Sequence, residues 1–271
     1  MILSSFLFAV LGTEFNPIWF FVEHEIAFFG KRNFGPIEAY YIFFVSSPLL
    51  IFLVVYDCMN FVKKFSISTF FKLLISFTSV LLTANRMNIL LSFLIIGVIL
   101  IFYNKRKIET KFVFTNLFFI SAILMAAFFS TSIYDFYLRE FSADARLGYL
   151  SIYSRLLDDP QSLIFGQGFN AHVWSHDALE LINPSLQIIH ASKTELTYFE
   201  FIRIYGLINF TIFISLFYYL VTKGVSLGEE HRWVFIGTFF YLIACFTNPN
   251  LFTIIFLLPL GLAFAIIRLK T

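Results

Sequence analysis

The chain has 271 residues, of which 59% are apolar, 40 are phenylalanine and only 13% are charged. A soluble globular domain carries about 25% charged residues, so the composition excludes that class and reads as an all-α polytopic integral membrane protein. The net charge of +2 excludes little, because in a membrane protein the distribution of Lys and Arg between loops carries the information and the sum does not.

Taken in chain order, residues Ile2 to Leu11 are apolar but too few to cross a bilayer unaided. They carry neither a basic leader nor a small-residue cleavage pattern, and read as a short first helix or the remnant of a longer N-terminus. The aromatic segment FNPIWFFVEHEIAFFGKRNFGP follows, and its mixed charges and Trp19 predict a helix lying in the interface. Helical spans are expected at Ile37 to Asp57, Ile67 to Ala84, Met87 to Tyr103 and Phe112 to Ser130. After a long polar interruption, three more are expected at Phe199 to Val221, Trp233 to Thr247 and Leu251 to Ile267. The chain thus divides into N-terminal spans (1–130), a long loop (131–197) and C-terminal spans (198–271). Cys58 and Cys245 fall near the end of one span and inside another, which supports neither a disulfide framework nor a zinc site.

Basic clusters set the orientation. Lys63 and Lys64, Lys105 to Lys107 with Lys111, Lys223 with Arg232, and Arg268 with Lys270 occupy alternate connections. Placing these in the cytoplasm satisfies the positive-inside bias at every crossing, and it makes the long loop external. The same topology puts Arg86, in the turn TANRMN, on the external side against that bias.

The loop collects eight acidic residues and three of the five histidines, and loops of this length are usually functional. Within it, Leu147, Leu150, Tyr153 and Leu157 recur at helical spacing in ARLGYLSIYSRLLDD, and Pro160 is expected to stop that helix after Asp159. In IFGQGFN, Gly166 and Gly168 permit a tight turn with positive φ. The loop ends in HASKTELTYFEFIRIYG, where Ser192 or Thr194 is the expected helix cap and Glu200 and Arg203 are spaced for an intrahelical ion pair at the mouth of the span.

The arginine turn NRMN, the arginine opening ARLGYL, the FGQG turn and the TELTYFEFIRIYG segment, in this order, resemble the O-antigen polymerase and O-antigen ligase superfamily. The TELTYFEFIR form is closer to the polymerases. The resemblance covers Thr83 to Phe210; members carry ten or more spans, against seven or eight legible here. It implies a metal-independent, cofactor-free glycosyltransferase of the bacterial inner membrane, which moves a growing glycan from undecaprenyl diphosphate onto the next lipid-linked repeat unit at the periplasmic face. The implied partners are the undecaprenyl-diphosphate-linked glycan, membrane lipid and a chain-length regulator protein, with no nucleic acid. Arg86 and Arg146 are implied to hold the diphosphate, for which the planar guanidinium fork is suited. Arg203, Gly166 and Gly168 join them on the substrate-binding side. Glu195 or His190 is the candidate base for the acceptor hydroxyl.

Plainer readings stand beside these. Arg86 also fits a snorkelling helix-end arginine, and Arg146 a partner of Asp144 or a cap of its own helix. His172 and His176 share a helical face, but no glutamate stands between them in the required place, so a solvated pair is preferred to a metal site. Glu200 and Arg203 read equally as a structural pair, and Tyr149, Tyr153 and Trp174 as interfacial aromatics or sugar-stacking platforms. A related ligase, or a non-enzymatic transporter or flippase for a lipid-linked glycan, is the alternative function.

Overall fold

The computed structural model describes residues 19–24, 26–34, 37–83, 85–102, 153–168, 196–246 and 254–270. Two compact units, Met1–Tyr137 and Leu138–Thr271, divide the chain. The fold is mostly helical.

The first unit opens with a short helix α1 (Trp19–Glu23) and a hairpin of β1 (Ala27–Phe34) and β2 (Ile37–Phe44). The strands are antiparallel, in register from Ala27 opposite Phe44 to Phe34 opposite Ile37. One hairpin face carries Ala27, Phe29, Ile42 and Phe44, with Ala27 and Ile42 buried and Val22 packed against them. Phe28, on the other face, is exposed. This period of two is what makes the segment a strand.

The hairpin overturns two expectations. The chain is not all-α, and the span expected from Ile37 to Asp57 is strand over its first eight residues. The interfacial helix expected before it is also confined to α1, its second half being β1. Ile37 to Phe44 is apolar or aromatic apart from Glu38, so composition alone reads as membrane helix, while the aromatic and β-branched side chains favour a pleated surface.

A 3₁₀ turn at Ser47–Leu49 leads into α2 (Leu50–Lys63), followed by α3 (Ile67–Leu81) and α4 (Arg86–Phe102). Ser66 starts α3 through a reciprocal box: its hydroxyl accepts from Thr69 N at 3.2 Å, and Thr69 Oγ1 accepts from Ser66 N at 3.1 Å. Helix α2 packs on both others, burying Ile51, Val54, Val55 and Cys58, while α4 buries Asn88, Ser92, Ile95 and Ile99 at spacings of four, three and four. Ile42 N donates to Leu82 O at 3.1 Å and ties the hairpin to the end of α3.

In the second unit a 3₁₀ turn (Arg155–Asp158) and α5 (Pro160–Phe165) precede the long α6 (Thr197–Ser226), α7 (Arg232–Ala244) and α8 (Ile254–Lys270). Helices α6, α7 and α8 pack on one another, and Val234, Phe235 and Ala263 form a buried cluster against Trp233 and Ile266. Helices α3, α4, α6, α7 and α8 lie where spans were expected. Among the described residues, one stretch, Thr197–Gly224, is long and apolar enough to cross a membrane; Ile67–Leu81, Met87–Phe102 and Arg232–Ala244 are shorter apolar helices. The span expected at Phe112 to Ser130 and the apolar stretch Ile2 to Leu11 lie outside the described residues.

Candidate functional site

Pro160 does more than stop a helix. The chain is helical at Tyr153 and Ser154, tightens into the 3₁₀ turn, and restarts at Pro160, whose missing N–H is harmless in a first turn. Asp159 caps α5: one carboxylate oxygen accepts from Ser162 N at 3.2 Å and the other from the Ser162 hydroxyl at 2.5 Å. These bonds from Ser162 hold the Asp159 carboxyl below its ordinary range. The apolar stripe read for this segment divides: Tyr153 is buried and Leu157 is exposed.

Helix α5 delivers the FGQG turn onto α6. Gly166 has φ 85 and Gly168 has φ 88, as expected of the turn. The opposing residue is Gly206, which breaks α6 with φ 81 and ψ 166, a conformation open in practice only to glycine. A Cβ on Gly166 would collide with the Ile204 carbonyl, and one on Gly206 with the Ile164 carbonyl, so the two backbones touch through their glycines. Across this contact Gln167 N donates to Arg203 O at 2.7 Å and Gly168 N to Ile204 O at 3.1 Å. Asn209 Nδ2 donates to Tyr205 O at 2.7 Å, so three consecutive carbonyls before the break accept from outside the helical ladder.

One turn earlier lies a buried charge cluster. Glu200 is 0% and Arg203 2% exposed. Arg203 Nη2 donates to Glu200 Oε1 at 2.6 Å and Nε to Oε2 at 3.1 Å, a two-pronged pair. The Tyr153 hydroxyl donates to Glu200 Oε2 at 2.7 Å across 47 residues of sequence. Its ring stacks on Phe199 with centroids 5.5 Å apart, and Leu196 is buried beside it. The ion pair expected from the spacing of three is therefore formed, and it is drier than a helix mouth open to water. Tyr153 is not a sugar platform, because its ring is spent on Phe199. Ser192 and Thr194, the expected caps of α6, lie outside the described residues; the helix begins one residue after Leu196, which stands at the N-cap without a side-chain cap bond and is buried with Thr197.

In the first unit Arg86 begins α4, at the turn where sequence placed it, and is described at its backbone only. Around it Thr83, Asn88 and Ser92 are buried. Asn85 Oδ1 accepts from Asn88 N at 3.1 Å, while neither polar side-chain atom of Asn88 has a hydrogen-bond partner among the described residues. Buried amides are usually paired, so this turn is polar beyond what the helices require.

Of the expected site residues, Gly166, Gly168 and Arg203 come together. Arg146, Glu195 and His190, with His172 and His176, lie outside the described residues. Sequence reasoning missed Gly206 and the role of Tyr153; the signal for the first was a glycine two turns into an apolar helix that also carries an ion pair. Family models, curated proteins and solved structures were compared with the chain, and none matches.

Proposed function

We propose that this is a multi-pass protein of a bacterial inner membrane that polymerises undecaprenyl-diphosphate-linked repeat units into O-antigen or a related surface polysaccharide. The observation that carries the reading is the dry Tyr153–Glu200–Arg203 cluster beside the Gly206 break, in the first turns of the apolar helix α6. A buried ion pair and a broken helix are both costly in an apolar span, and such features are kept where a site is built. The exposed side chains of α6, among them Leu207, Ile208, Ile212 and Tyr218, suit lipid contact better than water.

In this reading Arg86 and Arg146 hold the diphosphate as the acceptor hydroxyl attacks the anomeric carbon, and Glu195 or His190 takes the hydroxyl proton. The lipid diphosphate leaves with its negative charge stabilised by guanidinium groups, so no metal step is needed. The loop from 131 to 197 lies at the periplasmic face, where the lipid-linked substrate is presented.

One observation favours a second reading. Broken helices also build the central sites of transporters, so the Gly206 break suits a flippase for a lipid-linked glycan. Complementation of a polymerase-null strain that makes the matching repeat unit separates the two. A glycan ladder on a gel supports polymerisation; no ladder there, with export restored in a flippase-null strain instead, supports transport, and neither outcome leaves both readings standing.

A further inference from the structure

We propose that Glu200 is a positioning residue that registers loop residues 153–168 on the first turns of α6. The inference rests on the polymerase reading for its activity readout alone. Two features carry it. The carboxylate of Glu200 divides its oxygens between elements: Oε1 takes Arg203 Nη2 of the same helix, while Oε2 takes both Arg203 Nε and the Tyr153 hydroxyl from the loop. A structural pair needs only the first set. The second feature is that the loop returns 14 residues after Tyr153 to bind the same stretch of helix by its backbone, Gln167 N on Arg203 O and Gly168 N on Ile204 O. Arg203 thus meets the loop through its carbonyl and Glu200 through its guanidinium.

The two ties constrain each other. Tyr153 fixes one end of the segment through a side chain, and the glycine contact of Gly166 with Gly206 fixes the other through backbone. Between them, the 3₁₀ turn and α5 have little freedom to shift along α6. Glycine at both contact points lets the backbones approach, and Glu200 selects the register by charge, since an apolar contact at Tyr153 can slide whereas a hydroxyl aimed at one carboxylate oxygen cannot.

The test separates registering from mere support. Two variants are purified into liposomes with the lipid-linked repeat unit: Tyr153→Phe, and the exchange Glu200→Arg with Arg203→Glu. The exchange keeps a neutral buried pair and leaves Tyr153 no carboxylate in its old place. Both are expected to accumulate like the parent. Turnover should fall between about tenfold and 100-fold with KM within about twofold, because misplaced groups slow the chemistry more than binding. In the same samples, hydrogen exchange at the Gln167 and Gly168 amides should accelerate. If the exchanged pair recovers both turnover and amide protection, the pair is structural and the proposal falls. Should the parent protein make no polymer, the polymerase reading fails by itself, and amide exchange in Tyr153→Phe decides this inference alone: unchanged protection overturns it.

Discussion

Gly206→Ala is the most exacting perturbation of the site. The alanine methyl meets the Ile164 carbonyl, which is backbone and has no rotamer to retreat into. At φ 81 and ψ 166 the residue also carries strain of about 1–3 kcal/mol. If α5 is pushed away, the bonds from Gln167 to Arg203 and from Gly168 to Ile204 are lost, at about 0.5–1.5 kcal/mol each. The loop contact is thus weakened by about 2–6 kcal/mol. Alanine also favours helix over glycine by about 1 kcal/mol, so α6 has a route to relax by closing its break. The damage then shows as release of the loop and not as unfolding of the helix. Gly168→Ala is the control, since it shares a positive φ of 88 but its methyl meets nothing within 4 Å. Hydrogen exchange at the Gln167 and Gly168 amides, read by mass spectrometry in detergent, should rise about 30-fold or more in Gly206→Ala, the lower end of the estimate, since each 1.4 kcal/mol is about tenfold. The control should rise less. Equal exchange in the two variants, or a larger rise in Gly168→Ala, refutes the close-approach argument.

Four further outcomes are expected. Arg86→Ala and Arg146→Ala should each abolish the glycan ladder at normal protein level, with lysine rescuing only in part because an ammonium lacks the bidentate fork; normal ladders from both alanine variants remove diphosphate binding. Glu195→Gln should lower polymerisation by about 100-fold or more, while His172→Ala and His176→Ala leave it intact; a normal Glu195→Gln beside a dead His190→Ala moves the base to His190. Cysteine labelling of intact spheroplasts should reach Ser162→Cys and spare Asn104→Cys, and the opposite pattern inverts the topology. The carboxyl resonance of Asp159 should titrate below the ordinary carboxylate range. A depressed folded pKa means that the cap of α5 is fully present above that range and is lost as pH falls through the folded value; titration at or above the ordinary value contradicts this.

Legibility in the sequence followed the range of the forces. Helices α3, α4, α7 and α8 were readable because each is one apolar run bounded by polar or turn residues. The hairpin was not, because its polar residues, Lys31 to Asn33 in a row and Glu38, follow no period of two, while the aromatic run Tyr40 to Phe44 fills both faces; the Gly35–Pro36 punctuation was the available hint. At the site, the Glu200–Arg203 pair and the FGQG turn are local and were visible as spacing and composition. The hydroxyl of Tyr153 reaches Glu200 over 47 residues, and the Gly166–Gly206 contact spans 40, so neither leaves a local signature.

The hairpin has a consequence for immersion. A two-stranded ribbon keeps one row of backbone donors and acceptors along each outer margin, and oil cannot satisfy them. In a bilayer the ribbon therefore floats at headgroup level, where water completes its bonds. Its link from Ile42 to Leu82 carries the end of α3 to that same level, and with it the start of α4 at Arg86. The 15 residues of α3 rise only about 22 Å, short of a hydrocarbon layer of about 30 Å. On the proposed multi-pass placement, Lys63 and Lys64 at its far end stretch toward the opposite headgroups, or the membrane pinches around this bundle. On that placement the ribbon acts as a waterline mark, fixing how deep the first unit can sink.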